Sequence, residues 1–135
     1  MTPAPESHDP DTLAGRMLQR WQRIGLGVRL AYNPGCTCVI NCYIGVGRQI
    51  AQRGYATEVD VHQRMFRLLL QTASDLALPA AWRHHCASYA LHPLTRLSEL
   101  LAGDAFAVTA LHARWQLAHR QLPAAPQQVA KDEGC

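Results

Sequence analysis

Between Thr12 and Leu122 apolar residues return at every third or fourth position, a spacing that restricts the chain to helices. The first run, Leu13, Met17, Trp21, Ile24, Val28 and Ala31, advances by 4, 4, 3, 4 and 3 residues along one helical face. Asp11 or Thr12 supplies its N-cap and Asn33-Pro34-Gly35 its stop, with Gly25 and Gly27 weakening the last turns. Residues 36–46, CTCVINCYIGV, are apolar all round. Their continuation into GRQIAQRG predicts a buried helix stopped at Gly54, while the β-branched content leaves a strand as the alternative. Thr57-Glu58-Val59-Asp60 is a variant capping box that opens a helix through Val61, Met65, Leu68, Leu69, Thr72 and Leu76, broken at Leu78-Pro79. Trp82, Cys86 and Tyr89 mark a shorter helix ending near His92-Pro93, and Leu94, Leu97 and Leu101 another closed at Gly103. Asp104 caps a final helix whose periodic face is Phe106, Ala110, Ala113 and Leu117.

The expected fold is therefore all-α, a small bundle of five or six helices joined by short loops. Residues 1–11 hold three prolines and no periodicity, and read as a flexible leader. Residues 12–122 form a single helical domain, and 123–135, rich in Pro, Ala and Gln, a flexible C-terminal tail. A chain of 135 residues and 15.0 kDa suits one core. With 48% apolar and 17% charged residues it is not a disordered tail. No apolar run reaches the roughly 18 residues of a membrane span, so no membrane partner is expected. MTPAPESHDPDT has neither a basic start nor an apolar h-region, which makes a cytoplasmic protein the expectation. Five cysteines, an odd number without a signal peptide, read as reduced thiols.

Charge distribution says more than the net +3. Residues 12–57 carry Arg16, Arg20, Arg23, Arg29, Arg48 and Arg53 with no acid at all. Solvated faces ordinarily mix both signs, so this block points to an acidic partner, either a phosphate backbone or an acidic protein surface. Arg16, Arg20 and Arg23 step by 4 and 3, forming an exposed stripe beside the apolar face of the first helix. Arg64, Arg67 and Arg83 extend the patch from neighbouring helices. Trp21, Tyr32, Tyr43 and Tyr55 lie among these arginines, and aromatics interleaved with arginine suit stacking on unpaired bases beside phosphate. Trp21, on the apolar face, also reads as core.

The remaining candidates are weaker. Cys36, Cys38 and Cys42, with His84, His85 or Cys86, offer soft ligands for zinc or an iron–sulfur cluster, and Cys38 and Cys42 sit one helical turn apart. Gaps of one and three residues do not match a zinc knuckle, and buried cysteine packs as a small hydrophobe. His84 and His85 point in different directions from a helix, whereas His85, Tyr89 and His92 share a face, as do His112, Trp115 and His119. No nucleophile–base–acid set stands out. Gly45-Val46-Gly47 lacks the Lys-Ser/Thr of a phosphate loop. No catalytic residue and no cofactor is expected.

The leading expectation is a non-catalytic helical subunit that binds nucleic acid backbone within a larger nucleoprotein assembly. Arg16, Arg20, Arg23, Arg48, Arg53, Arg64 and Arg67 would neutralise phosphates. In size and composition, though in no motif, the chain is similar to the small helical subunits of CRISPR effector complexes. The alternative is a protein-interaction module (an adaptor, chaperone or immunity-type protein) whose basic face meets an acidic partner. A Cys/His metal-binding or redox protein is third. A patch tracking across helices favours a nucleic acid strand, and one ringing an apolar centre favours a protein.

Overall fold

The computed structural model describes residues 12–124, so the leader and all but the first two residues of the tail lie outside it. Six helices follow one another: α1 (Leu13–Arg29), α2 (Cys38–Gln52), α3 (Glu58–Ala73), α4 (Ala80–Tyr89), α5 (Leu91–Leu100) and α6 (Ala105–Arg120). Residues 36–46 enter a helix, not a strand. The architecture is an all-helical bundle with no strand among the described residues.

Local chemistry sets the helix ends. Oxygens of Thr12, Thr57 and Asp104 accept from the backbone N–H groups of Gly15, Asp60 and Ala107 at 3.0, 3.1 and 3.1 Å, satisfying donors that have no partner within their helices. α1 and α2 both close with a hydrogen bond from the second residue past the C-cap back to the third-last helical carbonyl. Tyr32 N–H donates to Gly27 C=O at 3.1 Å and Tyr55 N–H to Ile50 C=O at 3.0 Å. That closure requires a left-handed residue between, filled by Gly54 (φ 74°) after α2 and, against preference, by Ala31 (φ 50°) after α1.

α3 is the axis of the bundle and packs against every other helix. α1 and α3 run parallel, as Trp21 meeting Arg64 and Arg29 meeting Asp75 require, and α2 lies antiparallel beside them. α4 and α5 form a bent arm across α3, and α6 packs on α3, α4 and α5. The core holds Trp21, Val28, Ile40, Ile50, Met65, Phe66, Leu69, Trp82, Leu94 and Leu97.

Three indole N–H groups tie helices together through backbone carbonyls. Trp21 donates to Tyr43 at 3.1 Å, Trp82 to Val28 at 3.0 Å and Trp115 to Ala87 at 2.8 Å. Val28 and Ala87 lie in the last turns of α1 and α4, so these staples add a donor at helix ends, at Val28 beside the Ala31 N–H that its carbonyl already accepts at 3.2 Å. Arg83 does the same for α3, donating from Nε to Ala73 C=O at 2.8 Å.

Three expectations from periodicity are corrected. α3 stops at Ala73, not at Leu78-Pro79, because the Asp75 carboxylate accepts from Ala77 N–H and holds the backbone in a turn; Leu76 is 82% exposed. His92-Pro93 lies inside α5 instead of ending α4, since a proline in a first turn gives up an N–H that has no partner there. On α6 the face Phe106, Ala110, Ala113 and Leu117 points outward, and Leu111, Trp115 and Ala118 pack inward.

Candidate partner-binding groove

The arginines of the sequence-derived site divide among three surfaces. Arg16, Arg20 and Arg23 are exposed along α1. With Trp21 facing the core, the helical period puts Arg16 and Arg20 roughly 100–140° round the helix in one sense and Gln22, Leu26 and Arg29 about as far in the other, while Arg23 lies between the two rows and lines a shallow hollow with Gln19, Gln22 and Leu26. Arg53, at the C-cap of α2, reaches the side of Met17, its Nη1 lying 3.9 Å from the sulfur. Arg48 is elsewhere, in a hollow of about 680 Å³ bounded by α2, the start of α3 and the α4–α5 arm. Arg83 leaves the patch altogether, because its side chain is buried in capping α3.

That large hollow carries little net field. Arg96 holds Glu58 through both carboxylate oxygens at 2.8 and 3.1 Å from Nη2 and reaches Glu99 at 2.8 Å, so the arginines there face two carboxylates. Hydrogen bonding from Arg96 holds the Glu58 carboxyl below the ordinary carboxylate range. His62 lines the same wall with Nδ1 2.9 Å from its own helix's Glu58 C=O.

The third surface is different. Between α1 and α3 lies a groove of about 320 Å³ whose lining contains no acid. Trp21, Gly25, Tyr43 and Leu68 form its floor, and Arg29, Arg64 and Arg67 its rim. Trp21 and Tyr43 are stacked at 5.5 Å with an 18° interplanar angle, and the Arg64 guanidinium carbon lies 5.9 Å from the Trp21 ring centre. Burial pushes the Tyr43 hydroxyl up, with the positive charge of Arg64 opposing it, so the floor stays neutral. Arg29 is bound to Asp75 at 2.7 Å, whereas Arg64 and Arg67 make no ion pair among the described residues. At the end where α1 and α3 finish, Leu26, Leu30, Tyr32 and Leu76 are exposed, so apolar surface continues past the groove.

Of the aromatics interleaved with arginine, Trp21 and Tyr43 are thus core residues, Tyr55 is half-buried, and Tyr32 faces outward, 67% exposed. Arg29 and the two glutamines of the groove were missed as site residues. The signal was present in Gln22, Leu26 and Arg29 on α1 and in Arg64, Arg67 and Gln71 on α3, two rows stepping by 3 or 4 that parallel helices set face to face.

The cysteine and histidine candidates do not assemble. The sulfurs of Cys36 and Cys38 lie 2.7 Å apart, turned toward each other. Cys38 thus faces Cys36 instead of forming a clamp with Cys42, which is free and exposed. Cys86 is a core residue whose thiol burial pushes up to about 12, with Arg29 opposing. His85 is half-buried on α4. Tyr89 stacks on His92 at 6.0 Å and Trp115 on His119 at 4.8 Å, while His84 Nε2 lies 2.8 Å from Pro123 C=O and His112 Nε2 3.1 Å from the Ser98 hydroxyl. Among the described residues no three of His, Cys, Asp and Glu converge as metal ligands, and no helix is long and apolar enough to cross a membrane.

The chain matches no protein-family model, no curated protein and no solved structure.

Proposed function

We propose that the protein is a non-catalytic helical binding module that takes an acidic protein segment, bearing apolar side chains, in the groove between α1 and α3. The observation that carries this reading is the groove itself, an apolar floor inside an arginine rim with no carboxylate in the lining. Apolar groups of the partner replace water over the floor, and its carboxylates accept charge-assisted hydrogen bonds from Arg64 and Arg67. The exposed Leu26, Leu30 and Leu76 beside it suit an amphipathic partner better than a phosphate backbone.

Nucleic acid binding through Arg16, Arg20 and Arg23 is the second reading, favoured by their exposure along α1. Two features weigh against it: the arginines divide among separate surfaces, and Trp21 and Tyr43 are stacked on each other beneath the surface, away from any base.

Fluorescence anisotropy separates the two. The probes are a labelled amphipathic Glu/Leu helix, its Gln/Leu counterpart, and labelled single-stranded RNA and DNA. We expect the acidic peptide to bind more tightly than the other three. Arg64→Gln with Arg67→Gln should weaken it about tenfold or more, since hydrogen bonds to charged groups are worth roughly 1.5–3 kcal/mol each. Arg16→Gln with Arg20→Gln, which lie away from the groove lining, should change it little. Tighter nucleic acid binding, lost with the second variant set, would replace this reading by the other. No binding of the acidic peptide would end it.

A further inference from the structure

The last helix is apolar on two opposite faces. Its inner face is accounted for: Leu111 and Ala118 are buried, Trp115 donates to Ala87 C=O, and the Arg114 guanidinium lies 5.7 Å from the Phe66 ring centre. Its outer face, Phe106, Ala110, Ala113 and Leu117, steps by 4, 3 and 4 over three turns. Phe106 is 84% and Leu117 51% exposed, and both alanines between them are exposed as well. Scattered surface leucines need no explanation, but an apolar stripe in helical register, with its large residues at the ends and small ones between, has the form of a helix-packing surface.

We infer that this face is where a second copy of the chain docks, with the two α6 helices antiparallel. In that orientation the stripe is complementary to itself. A two-fold axis midway between Ala110 and Ala113 sets Phe106 against Leu117 of the second copy, and Ala110 against the second copy's Ala113. Methyl side chains at the crossing let the axes come within the 8–10 Å of packed helices, while Phe106 and Leu117 fill the wider ends. A parallel pairing would instead set Phe106 against Phe106 and Leu117 against Leu117 of the second copy. Antiparallel pairing also opposes the helix dipoles favourably.

α6 packs on α3, α4 and α5, so pairing through its outer face leaves the α1/α3 groove uncovered. The inference is thus independent of what that groove binds.

Sedimentation velocity on the full chain tests it, in reducing buffer so that exposed cysteines do not link copies. We expect the mass to rise from 15.0 kDa toward twice that value as concentration increases. Phe106→Ser with Leu117→Ser, and separately Ala113→Arg, should each hold the chain at the monomer mass, with the thermal midpoint that the wild-type chain shows at concentrations too dilute for pairing, because all three side chains are exposed. A wild-type chain that stays at the monomer mass at every concentration would overturn the inference and leave the face to a different protein or to the tail. An association that survives Phe106→Ser with Leu117→Ser would overturn it equally.

Discussion

A methyl group at position 47 would stand 2.7 Å from the Met65 sulfur and 3.0 Å from Trp21 Nε1. Gly47 therefore does more than occupy a helix: its missing side chain lets the Trp21 indole come close enough to α2 to donate to Tyr43 C=O one turn earlier. Gly47→Ala should cost about 1–3 kcal/mol, the range for overpacking a filled core, and chemical denaturation will measure it. A loss under a few tenths would mean that Met65 yields freely. Periodicity alone identified Trp21 as core, because its position in the 3–4 repeat is decisive. It could not identify Gly47, whose importance lies in a neighbour 26 positions away. Nor could it foresee Arg83, since a guanidinium reads as surface until an unbonded carbonyl, Ala73 C=O, is placed beside it.

At the scale of elements, two ion pairs fasten the ends of α3. Arg96 of α5 grips Glu58 at the start, and Arg29 of α1 holds Asp75 just past the end. Hydrogen bonds from these arginines hold both carboxyls below their ordinary range. A carboxyl lowered in the folded state favours folding fully above its unfolded value, and that contribution is lost as pH falls through the folded value. Thermal stability should therefore be flat from neutrality down to the ordinary carboxylate range near 4, then fall below it. In the Glu58→Gln, Asp75→Asn double variant this acid-side fall should be shallower. An identical slope would show that other carboxylates govern it. Helix starts were legible here because Thr57 and Asp104 announce themselves as caps. Helix phase on α6 was not, because a helix apolar on two sides offers periodicity two equally good answers.

Over the whole molecule, burial is uneven. α3 buries eight residues, from Val61 to Ala73, whereas α6 buries only Leu111 and Ala118. Local opening follows that gradient, since helices with little buried apolar surface separate first. In hydrogen exchange at concentrations too dilute for pairing, the amides of α6 should exchange before those of α3. Equal protection in the two helices would mean that the bundle opens only as a unit. The all-helical class could be read from the sequence, because one spacing rule recurs from end to end. The division of the arginines among three surfaces could not, because a charge count has no direction until parallel and antiparallel neighbours are fixed.

The indole staples carry a consequence for how such a chain can change over generations. Each tryptophan donates to a main-chain oxygen, of Tyr43, Val28 or Ala87, and every amino acid supplies that oxygen equally well. The receiving positions are free to drift in identity as far as packing permits, while the donors are not, since no other side chain combines that reach with a single N–H. Related chains would then keep three widely separated tryptophans amid dissimilar surroundings, a signature too sparse for overall similarity to reveal.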